Sequence, residues 1–116
     1  MNIIVDRPQL VRVVLLYLNN NFGNLTPKKS FKHPNSVFYV NSDNEVMMEY
    51  EYTNGNVLID RDQIWSKIES LFSLDYGDTR LIVKYWLDKT YNLSGVAPLT
   101  SDGGYWSHFV ERDLQI

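Results

Sequence analysis

Residues able to hold a metal or a cofactor are few in this chain. It has no cysteine, and its two histidines, His33 and His108, stand in no closely spaced set of ligating side chains. A site built on both would require the fold to bring them together, with Asp102 or Glu111 as a third ligand. The missing cysteines also exclude disulfides, cysteine-bound zinc and thiol chemistry. The sequence therefore predicts neither a metal site nor a cofactor.

Paired carboxylates are the next candidates, since two acids can serve as a general acid and a general base. Asp60 with Asp62, and Asp75 with Asp78, have suitable spacing. Each pair stands where a helix should begin, and carboxylates there satisfy free backbone N–H groups. Serine and glycine occur in no nucleophile-elbow, phosphate-loop or dinucleotide-binding pattern. We therefore predict no catalytic residue and no enzyme, with a pocket assembled from scattered Asp, Tyr and His as the enzymatic alternative.

A basic stretch suggests a contact with nucleic acid. Lys28, Lys29 and Lys32 surround the aromatic ring of Phe31, and such a mixture can hold phosphates and stack on a base. The chain as a whole is acidic, with a sequence pI near 5.2, so this patch would have to act locally. Binding of nucleic acid through these four residues is the alternative function.

An aromatic cluster near the C-terminus suggests a contact with protein. It consists of Tyr105, Trp106, Phe109 and Val110. Aromatic residues dominate the energetics of protein interfaces, but they also close the cores of small domains. We favour core closure for this cluster and keep a protein interface as the second interpretation.

The composition predicts one folded domain over residues 1–116. Hydrophobic residues make up 44% and charged residues 22%, which is typical of globular proteins and not of disordered chains. Residues 1–42 carry five bases and one acid, whereas residues 43–116 carry six bases and thirteen acids. This uneven distribution of charge either orients a partner or reflects charged side chains on solvated loops, and we favour the second interpretation. We find no signal peptide and no apolar run long enough to cross a bilayer, so we expect no membrane contact.

The predicted elements give an α+β order. A helix capped by Asp6 runs to about Asn20, and residues 24–35, with two prolines, are predicted as a loop. Three strands in an antiparallel meander follow, over residues 37–40, 45–52 and 56–59. Two more helices are predicted, one over about 61–73 capped by Asp60, and one that Asp78 caps and that ends near Tyr91. The tail from 95 to 116 is either a strand docked at the sheet edge or a short helix, and periodicity does not decide between them.

Two patterns in these elements predict burial. In the first helix Val11, Leu15 and Leu16 widen an already apolar stripe, so most of its circumference should be buried. In the middle strand apolar residues alternate with Glu45, Met47, Glu49 and Glu51. Those three glutamates could bind a cation or a basic partner, but we favour a solvated sheet face.

Residues 64–76, with Lys84-Tyr85-Trp86-Leu87 and Tyr91-Asn92-Leu93, carry a resemblance to known proteins. Together with the capped first helix and the hairpin, this layout resembles small proteins of unknown activity encoded by tailed bacteriophages and their environmental relatives. The resemblance spans roughly residues 5–93 and leaves the tail unmatched. It implies a viral context and no mechanism. We therefore predict a non-enzymatic phage accessory or virion-associated protein that contacts a phage or host protein, in the host cytoplasm or the virion.

Overall fold

A computed structural model describes residues 7–106 and the backbone of residues 114–115. Its elements are α1 (Arg7–Phe22), β1 (Thr26–Ser30), β2 (His33–Val40), β3 (Val46–Glu51), β4 (Asn56–Asp60), α2 (Ser66–Phe72), α3 (Tyr76–Tyr91), β5 (Ala97–Ser101) and β6 (Leu114–Gln115). A π-helical turn, Arg61–Trp65, leads into α2, and a 3-10 turn, Gly103–Trp106, follows β5. The predicted α+β class is confirmed, and the predicted cap Asp6 lies outside the described residues.

The strands form one sheet in the order β5-β4-β3-β2-β1-β6. Its centre, β2-β3-β4, is the predicted antiparallel meander. Of the described strand pairs, β4–β5 alone is parallel, and α2 and α3 form the long connection that a parallel pair requires. The tail, left open between a strand and a short helix, contains both, since β5 is followed by the 3-10 turn.

The predicted loop over residues 24–35 is wrong, because a β-hairpin occupies most of it. β1 and β2 pair on either side of a two-residue turn, Phe31-Lys32. Pro27 is tolerated because it lies at an edge position of the described sheet. At Pro27, β2 is the only described neighbour of β1, because β6 pairs with β1 only from Lys29 onward. Pro34 lies where the register between β1 and β2 shifts, a place where a missing N–H costs little. Prolines therefore mark irregular and edge positions of these strands and do not mark a loop.

Aspartates begin both later helices, with one correction. Asp60 Oδ1 accepts a hydrogen bond from the backbone N–H of Gln63 at 2.8 Å, as predicted. α3 is capped by Asp75 and not by Asp78, because Asp75 Oδ1 accepts from the Asp78 N–H at 2.7 Å. Ser73 has a left-handed backbone, with φ of 54°, and ends α2. This tight reversal lets α3 begin three residues earlier than predicted.

The main core lies between the three helices and one face of the sheet. Trp65 and Trp86 are its largest side chains, and they are buried with Val14, Leu18, Met48, Ile59, Ile64, Ile68, Val83 and Leu87. Each large apolar side chain buried in this way contributes about 1.5–3 kcal/mol. A polar contact also joins α1 to α3, since Asn19 Oδ1 accepts from Trp86 Nε1 at 3.0 Å and from Thr90 Oγ1 at 2.9 Å.

The second face of the sheet is also covered, contrary to the prediction that it faces water. Phe38, Val40 and Val46 form a smaller buried cluster there with Trp106, and Leu58 contacts it from β4. The 3-10 turn after β5 thus places the Trp106 ring on the face of the sheet that the helices do not cover.

Two features explain why the predicted acidic face is wrong: a β-bulge at the start of β3, and the cover that Trp106 gives to Glu49. In β3, Met48 and Val46 pair with consecutive residues of β2, so Met47 between them is an extra residue. The bulge turns Met47 into the main core and puts Val46 on the second face. Glu49 follows the bulge and is only 5% exposed, whereas Glu45 is exposed and Glu51 half-buried. The predicted alternation therefore fails at its first residue.

Candidate interaction surfaces

The hairpin presents part of the basic stretch at its tip. Phe31 lies in the turn and is 77% exposed, and Lys29 and Lys32 on either side are exposed. Lys28 is directed elsewhere, because its Nζ donates to Asn44 Oδ1 at 2.7 Å. The structure therefore brings three of the four predicted nucleic-acid contacts to one tip and leaves Lys28 half-buried beside another turn.

The aromatic tail is divided between the core and the surface. Trp106 is 5% exposed, whereas Tyr105 is 50% exposed and meets it edge to face with ring centroids 5.6 Å apart. Partial burial raises the pKa of Tyr105 above its ordinary value, and the nearby carboxylates of Glu49 and Glu51 add to the rise. Phe109 and Val110 lie outside the described residues. Of the described part of this cluster, Tyr105 is the residue that an outside partner can reach.

A buried carboxylate holds Trp106 in place. Glu49 Oε1 accepts from Trp106 Nε1 at 3.0 Å, and Glu49 Oε2 accepts from Ser36 Oγ at 2.8 Å. Glu49 and Ser36 are both buried, so each bond is shielded from water. Both oxygens of this carboxylate are thus occupied by partners within the chain, which is a structural arrangement and leaves little room for acid-base chemistry.

The remaining acidic candidates also have local partners. Asp60 and Asp75 cap helices, Asp78 forms an ion pair with Arg7, and Asp102 forms one with Arg61. Asp62 is exposed, with its Oδ1 3.7 Å from Nε of Arg61. His108 and Glu111 lie outside the described residues. Within residues 7–106, no group of three or more His, Asp or Glu side chains is arranged to hold a metal ion.

The ring of His33 is directed at the second face of the sheet. It meets the ring of Phe38 edge to face, with centroids 5.9 Å apart. Because Phe38 is buried in the second cluster, His33 is packed against the sheet and does not stand at the hairpin tip with Phe31.

A groove between α1 and α3 forms a concave apolar surface. It consists of two adjoining cavities of about 280 Å³ and about 500 Å³, which share Arg7, Val11 and Tyr85. The other apolar lining residues include Leu10, Leu15, Leu74, Leu81 and Ile82. Leu81 is 63% exposed and Tyr85 50% exposed. We call this surface the α1–α3 groove.

The rim of the α1–α3 groove is predominantly basic. Arg7 and Asp78 form an ion pair across one end, and Arg12 is exposed beside the second cavity. Lys89, one turn after Tyr85 on α3, holds its Nζ 5.6 Å from the centre of the Tyr85 ring. In the described part of the chain, three bases and one acid therefore surround an apolar floor.

The sequence does not reveal the groove, because its residues follow the pattern of a core. Val11 and Leu15 belong to the stripe predicted to be buried, and Leu16 in the same stripe is 59% exposed. α1 carries apolar side chains around more of its circumference than α2, α3 and the sheet cover. That excess is the available signal for a surface that a partner covers.

None of the described helices has the length and apolar character needed to cross a membrane. Comparison with models of protein families, with curated proteins and with solved structures finds no match to this chain.

Proposed function

We propose that this chain is a non-enzymatic binding protein that recognises a protein partner through the α1–α3 groove. The observation that carries the proposal is the exposure of Leu81 and Tyr85 around two adjoining apolar cavities. Exposed apolar surface costs free energy unless something covers it, and concave apolar surfaces with a charged rim are typical of binding sites.

The setting of this interaction is part of the proposal. The resemblance to small proteins of tailed bacteriophages supports an accessory or virion-associated role in an infected bacterium. The partner is then a phage or host protein, met in the host cytoplasm or in the virion. The local partners of the candidate acids support a role without catalysis, since they account for those acids as caps, ion pairs and the acceptor of a buried bond.

Site-specific cross-linking tests the groove. A photoreactive phenylalanine analogue in place of Leu81 is compared with the same analogue in place of Leu71, which is exposed to a similar extent, 60% against 63%, but lies on α2 and does not line the groove. The cross-linked protein is then purified, and its affinity for the chain is measured with Leu81→Asp and Leu71→Asp.

We expect a cross-link from position 81 alone, and an affinity that falls at least about tenfold in Leu81→Asp, since hot-spot truncations cost about 2 kcal/mol or more. Leu71→Asp should bind as the unmodified chain does. Equal cross-linking from both positions, or equal affinities of the two variants, would refute the proposal.

A second candidate function is binding of single-stranded nucleic acid by the hairpin tip. The specific observation in its favour is the exposed Phe31 ring between two exposed lysines. Aromatic rings stack on bases at about 1–3 kcal/mol each, and lysines neutralise phosphates.

Fluorescence anisotropy with a labelled oligonucleotide tests this candidate. The double variant Lys29→Gln/Lys32→Gln should weaken binding and lower the slope of log affinity against log salt by about 1.4, because each lysine that neutralises a phosphate accounts for about 0.7 of that slope. Phe31→Ala should weaken binding without changing that slope. The matched control is Lys67→Gln/Lys84→Gln, which removes two exposed lysines from helices. No binding at low salt, or an equal effect in the control, would end this candidate.

A further inference from the structure

We propose that the segment bound in the α1–α3 groove is an acidic amphipathic helix. This inference rests on the proposed function and adds the chemical class of the partner. It follows from the charge of the rim, from the shape of the groove and from the way backbone polar groups must be satisfied over an apolar floor.

The charge of the rim selects an acidic partner. Among the described residues, Arg7, Arg12 and Lys89 stand around the groove, and Asp78 is the only acid in its lining. The rest of the chain carries eight bases and thirteen acids, so the rim is a local reversal of the chain's overall charge. Complementary charge around an apolar contact steers association and sets specificity.

The shape of the groove matches a short helix. α1 and α3 run in the same direction, since the Arg7–Asp78 pair lies near both starts and the Asn19–Trp86 bond lies further along both helices. From Arg7 to Leu15 the lining extends over nine residues of α1. The eight steps between them, at 1.5 Å each, give a length of about 12 Å. Two turns of a partner helix cover that length, with apolar anchors at positions i, i+3 or i+4, and i+7.

Backbone chemistry favours a helix over an extended segment. Apart from Leu74, the described lining residues belong to α1 and α3, whose backbone groups beyond the first turn are bonded within the helix, and none of them belongs to a strand whose edge could pair with a peptide. An extended peptide would lay unpaired N–H and C=O groups on Val11 and Leu81, whereas a helix satisfies them internally.

The same observations disfavour two other occupants. A second copy of the chain in a two-fold contact would bring Arg12 and Lys89 of one copy against the same basic rim of the other. A bilayer surface would cover the exposed Leu81 and Tyr85 but would not fill the half-enclosed cavity between Val11 and Ile82.

The test uses synthetic helical peptides and the full chain. Two labelled peptides of about 14 residues share one leucine stripe and carry either glutamate or lysine on its flanks. Anisotropy is measured at about 50 mM and about 500 mM NaCl, because screening weakens exposed charge pairs at the higher salt. The chain is compared with Arg12→Glu/Lys89→Glu and with Lys29→Glu/Lys67→Glu, which also reverses two charges, at exposed lysines on the hairpin and on α2.

We expect the glutamate peptide to bind about tenfold more tightly than the lysine peptide at low salt, and the preference to shrink at high salt. The rim variant should reverse the preference, and the control variant should keep it. Leu81→Asp should abolish binding of both peptides.

Three results would overturn the inference. If both peptides bind equally and Leu81→Asp still abolishes binding, the groove binds helices without selecting acid, so this inference fails and the proposed function stands. If neither peptide binds while the partner cross-linked at position 81 does, the occupant is not an amphipathic helix. If Leu81→Asp instead dissolves a dimer in sedimentation, or releases the chain from vesicles of anionic lipid, the groove belongs to self-association or to a membrane.

Discussion

The bond between Glu49 and Trp106 should contribute measurably to stability, and its energy can be isolated. Trp106→Phe keeps most of the ring on the second face but removes the N–H that Glu49 Oε1 accepts at 3.0 Å. Hydrogen bonds to charged groups contribute about 1.5–3 kcal/mol, and this one is buried, so we expect a loss of about 2 kcal/mol. Glu49→Gln keeps an acceptor for Trp106 and can donate to Ser36, which reduces the charged bond to a neutral one of about 1 kcal/mol.

A double-mutant cycle measures this coupling. Trp106→Phe should cost about 2 kcal/mol in the native chain but only about 1 kcal/mol beside Glu49→Gln, a coupling energy of about 1 kcal/mol. Urea unfolding followed by circular dichroism is suitable, because Trp106 is itself a fluorophore. The control is the pair Trp65 and Glu69, whose Nε1 and Oε2 lie 3.2 Å apart around a partly exposed carboxylate, so its coupling should stay below about 0.5 kcal/mol. Equal coupling in the two cycles, or none in the first, would show that Glu49 does not hold Trp106 through its charge.

Three further sites have definite expected outcomes. Asn19→Ala should cost about 2 kcal/mol in urea unfolding, because it leaves the N–H of fully buried Trp86 without its acceptor, whereas Asn19→Asp should restore most of the loss. Burial raises the pKa of Tyr91 above its ordinary value of 10.0. The contribution of the neutral Tyr91 hydroxyl to the free energy of unfolding is therefore full below pH 10 and is lost as pH rises through the pKa of the folded state. Tyr91→Phe should reduce the loss of stability at alkaline pH. Gly23→Ala should destabilise the fold, because a Cβ there would collide with the Asn19 carbonyl oxygen. Gly77→Ala should raise the free energy of unfolding by about 0.5–1 kcal/mol, because the nearest atom to its Cβ is 3.6 Å away. Thermal melts distinguish the two variants.

Local chemistry makes part of the fold predictable. The Asn-Gly turn at residues 54–55 predicts the β3–β4 hairpin, and Gly55 has the positive φ of 74° that such a turn needs. Asp60 predicts a helix start because its cap involves only the next three residues. The β1–β2 hairpin is not predictable in the same way. Whether a strand tolerates Pro27 and Pro34 depends on which neighbouring strand pairs at those positions and in which register. Neighbour relations of that kind are absent from a one-dimensional pattern.

Of the candidate surfaces, the hairpin tip can be predicted from local sequence, whereas the α1–α3 groove depends on tertiary packing. Phe31 stands out in the sequence because its neighbours are polar, and it is exposed. Leu81 and Tyr85 follow a helical stripe like that of the buried Ile82 and Trp86, and only the position of α1 against α3 decides which of the four is covered. Glu49 keeps the face that the alternation predicts, opposite Met48 and Tyr50, but it is buried because Trp106, far along the chain, covers that face.

The structure also divides the basic N-terminal part of the chain into two surfaces. Arg7 and Arg12 lie on α1 at the rim of the groove, where Lys89 from the acidic part of the chain joins them, whereas Lys29 and Lys32 lie at the hairpin tip. The polarity of charge along the sequence is therefore not one binding patch. Because the two surfaces have no residue in common, Arg12→Glu should weaken binding of the acidic helical peptide and leave the oligonucleotide unaffected, whereas Lys29→Gln should do the reverse, in the same anisotropy measurements. Loss of both ligands in either variant would show that these bases form one patch.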